Sequence, residues 1–204
     1  MDFLTTLISG LSLGSIYALI ALGYTMVYGI AKMLNFAHGD VIMVGAFTVI
    51  VSVMMLGFPI WVGLLLSVVI CTVLGMTIER VAYKPLRKAE PLTVLITAIG
   101  VSYLLQNVAL LIFGSTQKSF PKVFHVSSVH FGDVSMSGES VVTLAVTIVI
   151  MICLSLFINK TRAGKAMRAV SQDKEAAELM GISVNRTISL TFAIGSALAA
   201  VAGV

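Results

Sequence analysis

The sequence is poor in charged residues and nearly free of cysteine. Only 11% of its 204 residues are charged, whereas 58% are apolar and the mean hydropathy is +1.06. An average soluble domain carries roughly 25% charged residues, so a soluble globular class is disfavoured. Cys71 and Cys153 both lie in apolar segments, which argues against a disulfide framework and favours a packing role for each thiol.

The apolar residues are gathered into six long runs. They predict membrane spans at about residues 3–30, 41–57, 60–78, 91–113, 140–158 and 187–204, each close to or above the roughly 17 to 25 residues that cross a bilayer as helix. The runs are continuous and do not alternate, so helices are favoured over β-barrel strands. The N-terminal run lacks a basic flank and is predicted to be a retained span. The fold class is therefore an all-α polytopic membrane protein with about six transmembrane helices in a single domain over residues 1–204.

Basic residues are concentrated in two polar segments, residues 79–90 and 159–186. These segments hold ten of the thirteen Lys and Arg residues: Arg80, Lys84, Arg87, Lys88, Lys160, Arg162, Lys165, Arg168, Lys174 and Arg186. Excess positive charge marks cytoplasmic loops, and two spans separate the segments, so both are predicted to be cytoplasmic. The 114–139 loop and the N-terminus are then predicted to lie outside.

The second half of the 159–186 segment predicts a short helix from about Asp173 to Met180. Ser171 or Asp173 can cap its amide groups, and Gly181 suits the left-handed position after the last turn. Such a helix could insert into a groove on a soluble partner. The alternative is a basic loop that only fixes topology and touches anionic lipid, which is our interpretation of the upstream half with Arg162, Lys165 and Arg168.

The sequence EAAELMG at residues 175–181 resembles the EAA motif of ABC importer permeases. Longer segments resemble the branched-chain amino-acid ABC transporter permease family, in particular its H-type subunits; they are SLGSIYALIALGYTMVYGIAKMLNFAHGD, IERVAYKPLR, ITAIGVSYLLQN and RAVSQDKEAAELMGISVNRTISLTFAIGSALAAVAGV. The resemblance covers essentially the whole chain. Members of the family continue past the point that matches Val204 with further spans, so a C-terminally truncated chain, its last helix cut short, is expected.

The resemblance implies a function and a set of partners. The chain is expected to be a multi-pass permease subunit in the bacterial inner membrane that works with ABC ATPase subunits, a second permease subunit and an extracytoplasmic substrate-binding protein. ATP is expected on the ATPase subunits. The residues implied to couple to the ATPase are Asp173, Glu175, Ala176, Ala177 and Gly181, and the NFAHGD segment, with Asn35, His38, Gly39 and Asp40, is a family signature.

Other classes of function are weighed by what the residues lack. No G-x-x-x-x-G-K-[ST] pattern occurs, so the chain is expected to hold no ATPase site and no cofactor of its own. None of the predicted spans contains Asp, Glu, Lys, Arg or His, which disfavours coupling to a proton gradient and an intramembrane peptidase. The alternatives that remain are a passive channel or facilitator for a small neutral solute and a permease for urea or amides.

Two stripes of small and weakly polar residues could line a substrate route. The first span carries Gly10, Gly14, Tyr17, Ala21, Tyr24 and Tyr28 near one line, and the fourth carries Thr93, Thr97, Gly100 and Asn107. Close helix packing is the alternative for both stripes. We select Tyr17, Tyr24, Tyr28, Thr93, Thr97 and Asn107 as candidate lining residues.

Two loops leave open questions. Residues 32–40 are either an ordinary cytoplasmic turn, which parity favours, or the break of a discontinuous helix, which the uneven lengths of the first two spans would explain. The outer loop, residues 114–139, is expected to form a small cap that could face a binding protein. Its histidines, His125 and His130, lack further ligands nearby, so no metal site is expected.

Overall fold

The computed structural model describes residues 2–87, 89–116, 120, 129–131, 134–136 and 138–204. Its α-helices are α1 (Asp2–Ala31), α2 (His38–Ile50), α3 (Ile60–Ile78), α4 (Pro91–Phe113), α5 (Gly138–Lys160), α6 (Arg162–Gln172), α7 (Lys174–Leu179) and α8 (Val184–Ala202). π-Helical turns extend α2 through Val51–Met55 and α3 through Glu79–Tyr83. Two short antiparallel strands, β1 (Val129–Phe131) and β2 (Val134–Met136), pair with Val129 opposite Met136.

Within the described residues, six helices are long and apolar enough to cross a membrane, as predicted. Four of them extend past a charged side chain that the prediction placed outside the span, including the last two, which end at Lys160 and begin at Val184. The second span begins at His38 and the third continues to Tyr83. The expectation that no span contains Asp, Glu, Lys, Arg or His is therefore wrong, since His38, Asp40 and Glu79 lie inside these helices and are buried.

The last helix, α8, forms the centre of the bundle. It packs against α1, α2 and α3, and 56% of its span is buried, against 11% for α4 and for α5. Glycine permits the closest approaches: a Cβ on Gly195 would lie 3.2 Å from the Gly23 carbonyl oxygen, and a Cβ on Gly75 would overlap Ser196. The apolar core is thus built where small residues let helix backbones meet.

Residues 32–37 turn back into the bundle. Lys32 adopts a left-handed conformation, with φ 57°, directly after α1 ends. The Tyr83 hydroxyl donates to the Leu34 carbonyl at 3.3 Å, whereas the Cys71 thiol donates to the Val41 carbonyl at 3.4 Å. Cys71 precedes Tyr83 by 12 residues, or about 18 Å along a helix, so Val41 lies that much deeper along α3 than Leu34 does. The first turn of α2 therefore packs beside the middle of α3, while α1 and α2 are each long enough to cross the membrane as separate helices, and the choice between an ordinary turn and a discontinuous helix stays a prediction.

A helix that the sequence did not predict, α6, occupies the upstream half of the 159–186 segment. The Thr161 side chain caps it by accepting from the Gly164 amide at 3.0 Å. Gly164, Met167 and Val170 are buried at intervals of three residues, whereas the basic side chains point outward. Only two of the three buried residues are strongly apolar. The apolar pattern is therefore too weak to predict a helix, and the basic residues alone predict a cytoplasmic loop.

Candidate functional site

The predicted short helix is present as α7 and begins at a side-chain cap. The Asp173 carboxylate accepts hydrogen bonds from the amides of Glu175 at 2.8 Å and Ala176 at 3.0 Å. These bonds satisfy two of the free N-terminal donors, and Glu175 adds negative charge at the positive end of the helix. The other capping candidate, Ser171, instead donates to the Arg168 carbonyl within α6.

The end of α7 is set by Gly181, which has φ +82°. The Ile182 amide donates to the Ala177 carbonyl and the Gly181 amide to the Glu178 carbonyl, both at 3.0 Å, which is the paired bond pattern of a Schellman motif. A residue with a Cβ is strained at such a φ. The sequence therefore predicted the stop signal correctly, and its reason is the left-handed backbone.

The apolar residues of this segment point in two directions. Ala177 is 4% exposed and packs into the core of the bundle, whereas Leu179 and Met180 are 89% and 82% exposed. One side of α7 is attached to the membrane bundle, and its C-terminal end presents two large apolar side chains to the outside.

Lys174 joins α7 to the end of α1. Its ammonium group donates to the Ala31 carbonyl at 2.9 Å. Ala31 is the last residue of α1, where the helix dipole favours a positive charge. Burial, followed by the charges of Arg87 and Lys32, lowers the pKa of Lys174 below its usual 10.5. The first residue of α7 is thus bonded to the residue that precedes the break.

A buried ion pair in the 79–90 segment is connected to the 159–186 segment by a hydrogen bond from its arginine. Glu79, 1% exposed, pairs with Arg87, which also bonds Asn185 at the start of α8. The Ser189 hydroxyl donates to the second Glu79 oxygen at 2.6 Å. Both segments therefore lie at the same end of the bundle, which agrees with the orientation predicted from their basic residues.

A cleft of about 420 Å³ lies beside this ion pair. It is bounded by the end of α1, the break, the 84–91 turn and Lys174. Its lining includes Tyr28, one of the candidate route residues, together with the basic side chains of Lys32 and Arg87. The link between α7 and α1 therefore forms part of the wall of an open space.

The signature residues of the break are mostly buried. Asn35, His38 and Asp40 are 4%, 3% and 7% exposed, whereas Gly39 is open. The Asn35 side-chain oxygen accepts from the Tyr83 hydroxyl at 3.1 Å, and the His38 ring lies edge-on to Tyr24 with centroids 6.1 Å apart. The sequence grouped these residues as a motif but could not show that they lie within the helix bundle.

Asp40 has a partner that sequence reasoning missed. Gln106 of α4 donates to one carboxylate oxygen at 3.0 Å. The other oxygen, Oδ2, and Nε2 of His38 are buried with no hydrogen-bond partner among the described residues. An isolated Gln in an apolar run is a weak signal of such a contact, because a polar group in a membrane helix also bonds readily within its own helix.

The two candidate stripes do not converge on each other. Tyr17 and Tyr28 are 62% and 49% exposed, and nothing lies within 4 Å of a Cβ on Gly10 or Gly14. Close helix packing, the alternative for this face, is not seen at these two glycines among the described residues; in α1 it is Gly23 that meets α8. Thr93, Thr97 and Asn107 lie on the sparsely packed α4, where Thr97 and Asn107 bond carbonyls of their own helix.

The predicted cap falls largely outside the described residues, and so does His125. His130 lies in β1, opposite Ser135. Within the described part of the chain, no group of three or more His, Cys, Asp or Glu side chains is placed to hold a metal ion.

Known proteins resemble this chain along nearly its whole length. A family described as "Branched-chain amino acid transport system / permease component" matches residues 6–204. The high-affinity branched-chain amino acid transport system permease protein LivH of Salmonella typhimurium is 44% identical over 214 residues, which cover 99% of this chain and 70% of the relative. BraD of Pseudomonas aeruginosa, with the same description, is 42% identical over 99% of this chain and 70% of its own length.

A more distant relative is a probable branched-chain amino acid transport permease protein LivH of Methanocaldococcus jannaschii. It is 30% identical over 93% of this chain and 61% of its own length. No solved structure matches the chain.

Proposed function

Because the chain belongs to the branched-chain amino-acid transport permease family, we propose that it moves such amino acids inward when separate ATPase subunits act on α7. It is a multi-pass inner-membrane permease subunit of an ABC transport system. The observation that carries the coupling proposal is the construction of α7. This helix is capped at both ends, bonded to α1 on one side, and apolar on its free end.

The free end of α7 suits a groove on a soluble protein. Leu179 and Met180 are the most exposed large apolar side chains of the cytoplasmic segment, and exposed apolar residues of this kind mark interaction sites. Glu175 and Glu178, also exposed, give the docking face a negative charge that sets it apart from the basic α6. A basic lipid-binding loop would have neither feature.

Movement of α7 reaches the bundle by two attachments. Ala177 packs into the core, and Lys174 holds the Ala31 carbonyl at the end of α1. The break at residues 32–37 follows directly and leads to α2, whose first turn lies inside the bundle. We infer that closure of the ATPase subunits shifts α7 together with the end of α1, and that the break lets α2 move separately between outward and inward states.

The remaining parts of the importer are proposed to be other chains. ATP binds to the ATPase subunits, since this chain has no phosphate-binding loop of the usual pattern. An extracytoplasmic binding protein delivers the amino acid, and a second permease subunit completes the route. This chain performs no covalent chemistry. In a passive facilitator, a docking helix would have no role. A urea or amide permease is distinguished from an amino-acid permease by competition between substrates.

The test uses the complete transporter in proteoliposomes, with binding protein outside and ATP inside. Glu175→Lys places positive charge on the docking face, and Lys165→Glu reverses an exposed charge on α6 as the matched control. We expect Glu175→Lys to reduce ATP-driven leucine uptake at least about tenfold, which corresponds to about 1.4 kcal/mol of lost interaction. Uptake by Lys165→Glu should stay within about twofold of the parent. Isoleucine, valine and urea are then offered as competitors.

Three results would contradict the proposal. Undiminished coupled uptake by Glu175→Lys would remove α7 as the coupling element. Leucine flux that is independent of ATP and of the ATPase subunits would favour a facilitator. Competition by urea but not by isoleucine or valine would indicate an amide permease.

A further inference from the structure

Asp40 is a buried carboxylate with half of its hydrogen-bonding capacity unused. It is 7% exposed, and its Oδ1 accepts from Gln106 at 3.0 Å, while Oδ2 has no partner among the described residues. Gln106 is neutral, and its amide nitrogen also lies 3.1 Å from the Ser102 hydroxyl. A carboxylate inside a membrane bundle with a single neutral partner is costly, and such residues are usually paired with a cation.

The described part of the chain supplies no cation to Asp40. The only salt bridge among the described residues joins Glu79 to Arg87, at the cytoplasmic end of the bundle. Lys32, Lys174 and Arg87 line the cleft at that same end. The positive charge that Oδ2 requires therefore has to come from another molecule or from residues outside the described ranges.

The first turn of α2 is open at Gly39, the residue before Asp40. Gly39 is exposed, and no atom lies within 4 Å of the position a Cβ would take. The residue before the helix, Ala37, provides no side-chain cap. The His38 amide donates to the Asn35 carbonyl at 3.2 Å and the Val41 amide to the Ala37 carbonyl at 3.0 Å, so the amides of Gly39 and Asp40 are left without a partner among the described residues. In transporters with discontinuous helices, half-helix N-termini inside the bundle point at anionic substrate groups.

We propose that the first turn of α2 binds the charged groups of an α-amino acid in transit, with its ammonium group at Oδ2 of Asp40. Gln106 positions the Asp40 carboxylate, and the uncapped amide end of α2 favours the carboxylate of the same ligand. This proposal rests on the proposed function and narrows its substrate. A zwitterionic amino acid satisfies both halves of the site, whereas urea offers no ammonium group.

The test places a reporter thiol beside Asp40 in the complete, nucleotide-free transporter. Gly39→Cys is made in a Cys153→Ser background, because Cys153 is exposed and Cys71 is buried. Labelling by a small maleimide is followed with leucine and with the α-keto acid of leucine, which lacks the ammonium group. Leucine should slow labelling, and the keto acid should leave the rate within about twofold of the ligand-free rate.

The same measurement is repeated with Asp40→Asn added. The leucine concentration for half-maximal protection should rise at least about tenfold. Asp40→Glu keeps the charge, so its half-maximal leucine concentration should lie between those of Asp40→Asn and the parent. Thr72→Val is the matched control, since the Thr72 hydroxyl bonds only the Val68 carbonyl of its own helix, and it should leave protection unchanged.

Failure of this proposal differs from failure of the proposed function. If the parent complex takes up leucine with ATP but leucine does not slow labelling, or the keto acid slows it equally, the ammonium site is overturned. Unchanged protection in Asp40→Asn also overturns it. Loss of complex assembly in Asp40→Asn, and in no other variant, overturns it as well, because that result indicates an ion pair between Asp40 and a partner subunit. Loss of ATP-driven uptake by the parent instead contradicts the proposed function.

Discussion

Single glycines decide where the helices of this bundle can touch. Gly75 of α3 faces Ser196 and lies where a Cβ would also come within 3.2 Å of the Phe192 carbonyl, whereas Gly100 of α4 has nothing within 4 Å. Both glycines are in membrane helices and look alike in the sequence. Only the packing of α3 against α8 separates the glycine needed for close approach from the one that is not.

Gly75→Ala is predicted to destabilise the bundle by about 1 to 3 kcal/mol, because α3 and α8 must separate or Ser196 must move. Gly100→Ala introduces the same methyl group in open space and removes a flexible residue from a helix, so its stability should be unchanged or rise by up to about 1 kcal/mol. Thermal unfolding of the purified protein in detergent measures both. Equal melting temperatures for the two variants would contradict this account of the α3 and α8 contact.

At the scale of the element, α7 is too short to be stable alone. A helix of its 6 residues is well below the length at which isolated helices form in water, so its caps and its attachment to the bundle must stabilise it. The Asp173 cap and the Gly181 stop were both readable from the sequence, because capping depends on residues that are adjacent along the chain. The hydrogen bond from Lys174 to the Ala31 carbonyl joins residues 143 positions apart, and it could not be predicted from the sequence.

Asp173→Ala removes the cap and should weaken α7 by about 0.5 to 2 kcal/mol. Asp173→Asn keeps a side-chain oxygen acceptor and is the matched control. Hydrogen exchange measured by mass spectrometry should show faster exchange for the α7 amides in Asp173→Ala, with the peptides of α8 unchanged. Equal exchange in the alanine and asparagine variants would show that the cap does not hold the helix.

At the scale of the whole molecule, the bundle has one closely packed centre and two sparsely packed helices. α8 lies among α1, α2 and α3, whereas α4 and α5 expose most of their side chains. Residues 84–91, α6 and α7 share one end with the Glu79 ion pair, and the turn between α2 and α3 lies at the opposite end. We therefore expect the end with α6 and α7 to face the cytoplasm and the turn between α2 and α3 to face the outside.

Lys165→Cys and Phe58→Cys, each in the Cys153→Ser background, report the two ends, since both positions are exposed. A membrane-impermeant maleimide added to right-side-out vesicles should label the cysteine at 58 and spare the one at 165 until the membrane is permeabilised. The same pattern follows from the positive-inside rule. Labelling of both sites from outside, or of 165 alone, would reverse the assigned orientation.

Hydropathy identified all six spans, and the charge distribution grouped the two basic segments that the structure places at one end of the bundle, because both signals depend on composition over long windows. Helix starts were less well predicted. α2 begins at His38 and α3 continues to Tyr83, since burial inside the bundle accommodates the charged and polar side chains that were taken as boundaries. The amphipathic α6 was not predicted, because its buried positions carry only two strongly apolar side chains, Met167 and Val170, among basic residues.

The sequence by itself determined the membrane class, the six spans, the family, and the caps of the short helix on which the proposed coupling depends. These follow from local composition and from contacts between neighbouring residues. The tertiary structure alone decided that residues 32–37 enter the bundle, that Lys174 holds the end of α1, and that Asp40 meets Gln106 with one oxygen left unpaired. Each is a contact between distant parts of the chain, fixed by helix packing, and no local pattern encodes it.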